Sequence, residues 1–250
     1  MAQDDGLLLL VTIDGPAGVG KSSVARRVAE RLGWFHLDTG ATYRAVTLLA
    51  VRAGLAAERL DEAAVAPLLD RLELRVESGG HVWLDGIEVT KELRSPEVTG
   101  LVSPVSALPN VRRKLVELQR KVAAQQSTRG ATRGATRGAA RVAERGTSRR
   151  GVVVEGRDAG SYIFPQARWR FYLDASLAER ARRRLRQELE SREPTPEQLT
   201  AVMERLATRD RIDRERAVAP LKVPEGAIVL DTTHLGLEQV VAAITGTVRP

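Results

Sequence analysis

The stretch Leu7–Leu32 reads LLLLVTIDGPAGVGKSSVARRVAERL, and it decides the fold. Leu7 to Ile13 is an unbroken apolar run, the pattern of a strand buried on both faces as in a parallel sheet. Ser22 to Leu32 carries Val24, Ala25, Val28, Ala29 and Leu32 at helical spacing, and Gly33 supplies a stop. Between them Gly15-Pro16-Ala17-Gly18-Val19-Gly20-Lys21-Ser22 fits G-x-x-x-x-G-K-[ST], with Ser23 following. Glycines let successive backbone N–H groups converge on phosphate oxygens, and the helix N-terminus adds partial positive charge. Lys21 has the reach for β- and γ-phosphates, and the Ser22 hydroxyl suits Mg²⁺. Lysine is scarce here, five against 34 arginines, so composition does not explain the match.

Outward from this stretch, strands and helices alternate. Trp34–Leu37, Gly151–Glu155, Trp169–Asp174 and Ala227–Asp231 read as further strands. Helices are expected over Gly40–Gly54, Asp61–Leu72, Pro96–Ala107, Pro109–Gln126, Ser176–Glu190 and Pro194–Asp213, with a last one from Leu237. The alternation implies an α/β fold with a doubly wound parallel sheet. Between Leu72 and Val89 the period changes to two, with turns at Ser78-Gly79-Gly80 and Asp85-Gly86. Three short strands there predict a small antiparallel insertion. The expected organisation is a core over residues 1–70 and 96–250, an insertion over 71–95, a helical lid at about 180–215 and a low-complexity linker over 127–150.

The 250 residues hold 43% hydrophobic and 28% charged side chains, enough for one core with a satellite. The net charge of +7 suggests a polyanion partner until it is located. Ser127–Arg150 contains seven arginines and one glutamate, a local +6, so everything else sums to +1. That segment holds three copies of Thr-Arg-Gly-Ala and reads as a mobile, solvated linker, since glycines and like charges at i,i+4 oppose a helix. There is no cysteine, which fits a cytoplasmic setting. Met1–Gly6 has two aspartates and no cation, so no secretory leader and no membrane association are expected.

A guanine-reading Asn-Lys-x-Asp element is absent, because the only asparagine is Asn110, followed by Val111-Arg112. What remains is ATP used for transfer or for work. Several ordered motifs narrow this: IDGPAGVGKSS at Ile13–Ser23, LDTGATYRA at Leu37–Ala45, and SPEV with VSALPNVR across Ser95–Arg112. VVVEGRDAG at Val152–Gly160, FPQA and FYLDAS around Phe164–Ser176, and RDRIDRERAVAPL at Arg209–Leu221 follow. In these the chain resembles the bacterial cytidylate kinases, a P-loop nucleoside monophosphate kinase family, from Val11 to about Ile244.

The resemblance implies a γ-phosphoryl transfer from ATP to CMP or dCMP with Mg²⁺, and roles for particular residues. Gly15 through Ser23 would hold ATP. Thr39, Arg44, Ser103, Arg112, Arg157, Asp158, Asp213 and Arg216 would hold the acceptor: Thr39 as hydroxyl donor, Arg44 and Arg157 on its phosphate, Ser103 and Arg112 at the cytosine edge. Asp158 would accept from the cytosine amine, and Asp213 and Arg216 would meet sugar and phosphate. Lys21, Arg157 and the basic-helix residues Arg180, Arg183 and Arg184 would supply charge at the transferring group, with Arg180 and Arg184 taken as catalytic. Glu155 would hold a Mg²⁺-bound water or orient an arginine. Two departures stand out: Thr42, where Met, Leu or Ile is usual, and Ala159, where a larger aliphatic side chain is common. A monomer with no specific nucleic-acid partner is expected. The rival readings are a P-loop kinase for another acceptor, such as UMP or an alcohol, and an ATP-dependent nucleic-acid-binding module using the basic arm.

Overall fold

The structure is a computed structural model that describes residues 8–128, 151–188 and 195–249. Five parallel strands form the main sheet: β1 (Leu10–Asp14), β2 (Phe35–Asp38), β6 (Val152–Glu155), β7 (Trp169–Asp174) and β8 (Ile228–Asp231), in the order β2-β6-β1-β7-β8. β1 starts three residues later than the apolar run suggests and extends through Asp14. Its pairing dictates both ends: Leu10 lies against Val152, and Asp14 against Tyr172. Every β1 residue is buried. β8 closes one edge, where Ile228 and Val229 are exposed despite their hydrophobicity.

Helices cover both faces. α1 (Lys21–Leu32) and α8 (Leu237–Thr247) pack on one, where Val24, Val28, Val240, Val241 and Ile244 meet Val11, Ile13 and Phe171. α1 ends on Gly33 in the left-handed region, as expected from the sequence. α2 (Thr39–Arg52), α3 (Glu62–Asp70), α4 (Pro96–Ala107) and α5 (Pro109–Thr128) make a helical body around Tyr43, Val46, Val105 and Leu115. Caps mark the starts: Asp38 on α2, Asp61 on α3 and Ser95 on α4 each accept from a first-turn N–H.

The predicted antiparallel insertion is a three-stranded sheet, β3 (Leu74–Val76), β4 (Val82–Leu84) and β5 (Ile87–Glu88). It packs Val82 and Leu84 against Ala41, Ala45 and Leu48 of α2. α6 (Leu177–Glu188) and α7 (Pro196–Glu215) form the pair expected as a lid, and their Ala181, Leu185, Val202 and Leu206 enclose Ala17 of the glycine loop. Of the linker expected over 127–150, Ser127 and Thr128 fall in α5; residues 129–150, and part of the lid connection at 189–194, lie outside the described residues. Among the described residues no helix is long and apolar enough to cross a membrane.

β1 neighbours β6 on one side and β7 on the other, so the chain reverses its winding at β1. The carboxyl end of such a strand opens a crevice in which α/β sheets bind ligands. The glycine loop leaves β1 there, and residues 156–158 leave β6 beside it.

Candidate active site

Gly15 adopts φ +148°, and a Cβ at that position would lie 2.2 Å from the Leu173 carbonyl oxygen of β7, so the loop begins against the sheet with no room for a side chain. Cations then grip its carbonyls in sequence. Arg157 Nη1 donates to Gly15 O at 2.9 Å, Lys21 Nζ to Pro16 O at 2.7 Å, Arg180 Nη1 to Ala17 O at 3.0 Å and Arg183 Nη1 to Val19 O at 3.1 Å. Neutralised carbonyls remove the dipoles that would repel an incoming polyphosphate. Burial pushes the Lys21 pKa well down, helped by Arg157 and opposed by Glu155 and Asp14.

Beside Lys21, the Ser22 hydroxyl donates to Glu155 Oε2 at 2.7 Å, and His36 Nε2 lies 3.0 Å from Glu155 Oε1. Burial pushes the Glu155 carboxyl up, but His36, Ser22 and Lys21 together hold it below the usual range. A hydroxyl and an ionised carboxylate are hard oxygen donors, which suit Mg²⁺. Among the described residues no group of three His, Cys, Asp or Glu side chains is placed to cage a metal.

A second cluster converges on Asp158. This fully buried carboxylate is paired with Arg112 Nη2 and lies 3.2 Å from Arg216 Nη2. Arg112 Nη1 also donates to Ser106 O at 3.0 Å, and its guanidinium lies 5.3 Å over the Tyr43 ring. Burial pushes the Asp158 pKa up, with the two arginines opposing. Arg157 Nε donates to Asp213 Oδ2 at 2.8 Å, and Arg216 Nη1 is 3.8 Å from Asp213 Oδ1. The structure therefore brings Arg112, Arg157, Asp158, Asp213 and Arg216 into one cluster. Thr39 borders it, donating to Glu155 O at 2.7 Å. Ser103 connects indirectly: its carbonyl accepts from Ser106, whose own carbonyl accepts from Arg112. Thr42, the departure noted in the sequence, accepts from Gln119 Nε2 and donates to Thr39 O, both at 2.7 Å.

Arg44 and Arg209 face the same space. Each has a buried Nε with no hydrogen-bond partner, and burial depresses both pKa values, that of Arg209 to about 10. Arg157 and Arg44 add to the depression of Arg209, as does the more distant Arg184, exposed on α6. Such crowding of like charge signals a place built for an anion. Arg209 was not singled out in the sequence, although it lies one turn before Asp213 on the same face of α7, with Arg216 at the helix's C-terminal cap.

Arg180 sits differently from the lid cation expected of it. It is buried, and its guanidinium donates to Ala175 O and Ala17 O and pairs with Asp210 Oδ2 at 2.5 Å. Asp210 in turn accepts from Ala17 N–H at 2.9 Å. In this structure Arg180 clamps the glycine loop to α7. Arg183 is committed as well, to Val19 O, Glu179 and Thr232. Asp14, His36, Asp210 and Gln119 were likewise missed in the sequence.

A sequence model of the family described as "Cytidylate kinase" matches residues 11–129 and 131–250. The chain belongs to the cytidylate kinase family. It is 43% identical over 242 residues to a cytidylate kinase of Symbiobacterium thermophilum, covering 94% of each chain. It is 38% identical to one from Caldanaerobacter subterraneus subsp. tengcongensis, covering 97% of this chain and 96% of that one. A cytidylate kinase of Desulfitobacterium hafniense is 40% identical over 237 residues, with 94% of this chain and 90% of that one covered. The P-loop, the LDTG turn, the GRD strand end and the α7 cluster thus sit in the fold of a nucleoside monophosphate kinase family.

Proposed function

We propose that this enzyme transfers the γ-phosphate of ATP to CMP, and to dCMP, giving ADP and the cytidine diphosphate. The carrying observation is the convergence of the glycine loop with the buried Asp158 cluster at the carboxyl ends of β1 and β6. Asp158 accepts from the exocyclic amine of cytosine and repels the carbonyl that uracil presents at that position. Its two oxygens offer about four lone-pair sites, so pairing with two arginines leaves capacity for the base. Arg112 donates at the same edge, with Ser103 beside it, and Asp213 accepts from a sugar hydroxyl. Thr39 donates to the acceptor nucleotide. Arg44, Arg157, Arg209 and Arg216 bind the acceptor phosphate and hold its oxygen in line with the donor.

The loop Gly15–Ser23 binds the ATP phosphates, and Lys21 leaves the Pro16 carbonyl for the β- and γ-phosphates when they arrive. When bound, Mg²⁺ supplies charge neutralisation at those phosphates, held by Ser22 and through water by Glu155. The attacking oxygen is already anionic, so catalysis is positioning and charge stabilisation. Arg184 supplies further positive charge from the lid, residues 180–215, and the insertion over 71–95 closes on the cytidine. We also place the enzyme in the cytoplasm as a monomer without a specific nucleic-acid partner.

The test is ADP release with Mg·ATP and CMP, dCMP, UMP, AMP, GMP or no acceptor. Fast turnover with CMP or dCMP and little with UMP is expected. Acceptor-independent hydrolysis, or turnover only with another acceptor, overturns the assignment.

A further inference from the structure

Asp14 takes no part in the chemistry above, yet it is a fully buried carboxylate at the last position of β1, immediately before the glycine loop. Its Oδ1 accepts from Ala159 N–H and its Oδ2 from Gly160 N–H, both at 2.7 Å. Those two amides open a single π-helical turn, Ala159–Ile163, directly after Arg157 and Asp158. The turn is pressed onto β1: a Cβ on Gly160 would stand 2.5 Å from Thr12 Oγ1 and 3.2 Å from Asp14 Oδ2. One carboxylate thereby joins the donor loop, by chain continuity, to the acceptor turn, by hydrogen bonds. The Arg157 bond to Gly15 O is a second strut between the same two segments.

A carboxylate is a costly way to end a buried strand, and here Asp158 sits close enough to repel it. What only a carboxylate offers is two acceptor oxygens at once. Asparagine would accept one N–H and turn its own donors toward the other. We propose that Asp14 is a positioning residue for phosphoryl transfer, fixing the spacing of the donor loop and the Arg157–Asp158 turn by accepting both amides. The proposal rests on the CMP kinase reading above. It also predicts a pH signature, because burial and Asp158 raise the Asp14 pKa to about 7 against the pull of its two amides and Lys21. The titratable and charged groups facing it are Asp158 on the turn, Lys21 on α1 and Tyr172 across the β7 register.

The experiment compares wild type with Asp14→Asn from about pH 6 to about pH 9, where the proposed carboxylate titrates. Misplacing reacting groups by about 1 Å costs on the order of 100-fold, so kcat with CMP should fall by about that factor. Affinity for a non-hydrolysable ATP analogue should stay at the wild-type value. Wild-type kcat should drop as pH falls through about 7, and the variant should lack that step. A variant with wild-type kcat, one that loses ATP affinity in parallel, or one that keeps the step overturns the proposal. Should Asp14→Asn not fold, Asp14→Glu decides: a carboxylate one methylene longer displaces both amides, so kcat that falls with ATP-analogue affinity held supports the proposal, and wild-type kcat overturns it. A wild type inactive on CMP would instead sink the functional reading itself.

Discussion

Arg180→Met separates two roles that one arginine cannot fill at the same time. If Arg180 clamps the glycine loop, its loss is a stability defect; if it swings onto the transferring phosphoryl group, its loss is a defect in kcat. The structure favours the clamp. The substitution would leave the Asp210 carboxylate, 2% exposed, without its cation and strip a donor from Ala17 O and Ala175 O. Breaking a buried pair from one side costs about 3–5 kcal/mol. At roughly 2–4 °C per kcal/mol for a domain of this size, melting should fall by about 6–20 °C.

A thermal scan, kcat at saturating substrates and affinity for an ATP analogue together form the assay. The expected result is a large drop in melting temperature and weaker ATP binding, with kcat of the folded enzyme reduced far less. A second substitution, Asp210→Leu, should recover part of the melting loss by removing the stranded charge. It should not recover all of it, because Ala17 N–H also loses its acceptor, worth about 1–3 kcal/mol when buried. Unchanged melting with a collapse of kcat would refute the clamp and restore Arg180 to the lid chemistry that the sequence suggested.

Arg44→Met removes a desolvated cation whose Nε has no partner, so melting should hold or rise while KM for CMP climbs. A lost charge-assisted hydrogen bond of about 1.5–3 kcal/mol corresponds to a rise of about 10- to 150-fold, read by steady-state kinetics. Asp158→Asn should shrink the preference for CMP over UMP by about 1–3 kcal/mol, measured as a ratio of kcat/KM values, and lower melting by leaving Arg112 and Arg216 underpaired. Asp14 binds its proton more tightly folded than unfolded, at about 7 against an ordinary 3.8. Its contribution to stability is therefore full below about pH 4 and lost as pH rises through about 7. The melting difference between Asp14→Asn and wild type should shift toward the variant across that window.

The sheet and its helices were legible because apolar period, caps and glycine stops are local signals. The run LLLLVTI, the Gly33 stop and the period-two stretch from Leu74 to Glu88 each appear in the structure close to where the pattern puts them. What escaped is long-range. Ala17 meets Asp210 across 193 positions and Asp14 meets Gly160 across 146, and nothing near either residue announces its partner. The π-helical turn was invisible for the same reason, since its first amides are satisfied by Asp14 rather than by neighbours. The i, i+4 relation of Arg209 to Asp213 is, by contrast, a local signal that the sequence carries. Edge exposure of Ile228 and Val229 depends on strand order, which hydrophobicity does not encode.

The distribution of charge explains why the site is built in two tempers. At the end proposed for the base, Arg112 is matched to Asp158 before any ligand arrives, so this end is set in place and can discriminate by donor pattern. At the end proposed for the phosphate, Arg44 and Arg209 are buried and close enough to repel, and their depressed pKa values record an electrostatic cost that an anion would relieve. On the proposed reading, binding energy is concentrated on the phosphate and selectivity on the base. Arg157 belongs to both ends and to the donor loop, through Asp213 on one side and Gly15 O on the other. On that reading two polyanions must approach each other for the transfer, and a cation already fixed between the proposed sites would lower that barrier without reorganising. Asp14, holding the next two amides of the same turn, is what keeps that cation from drifting.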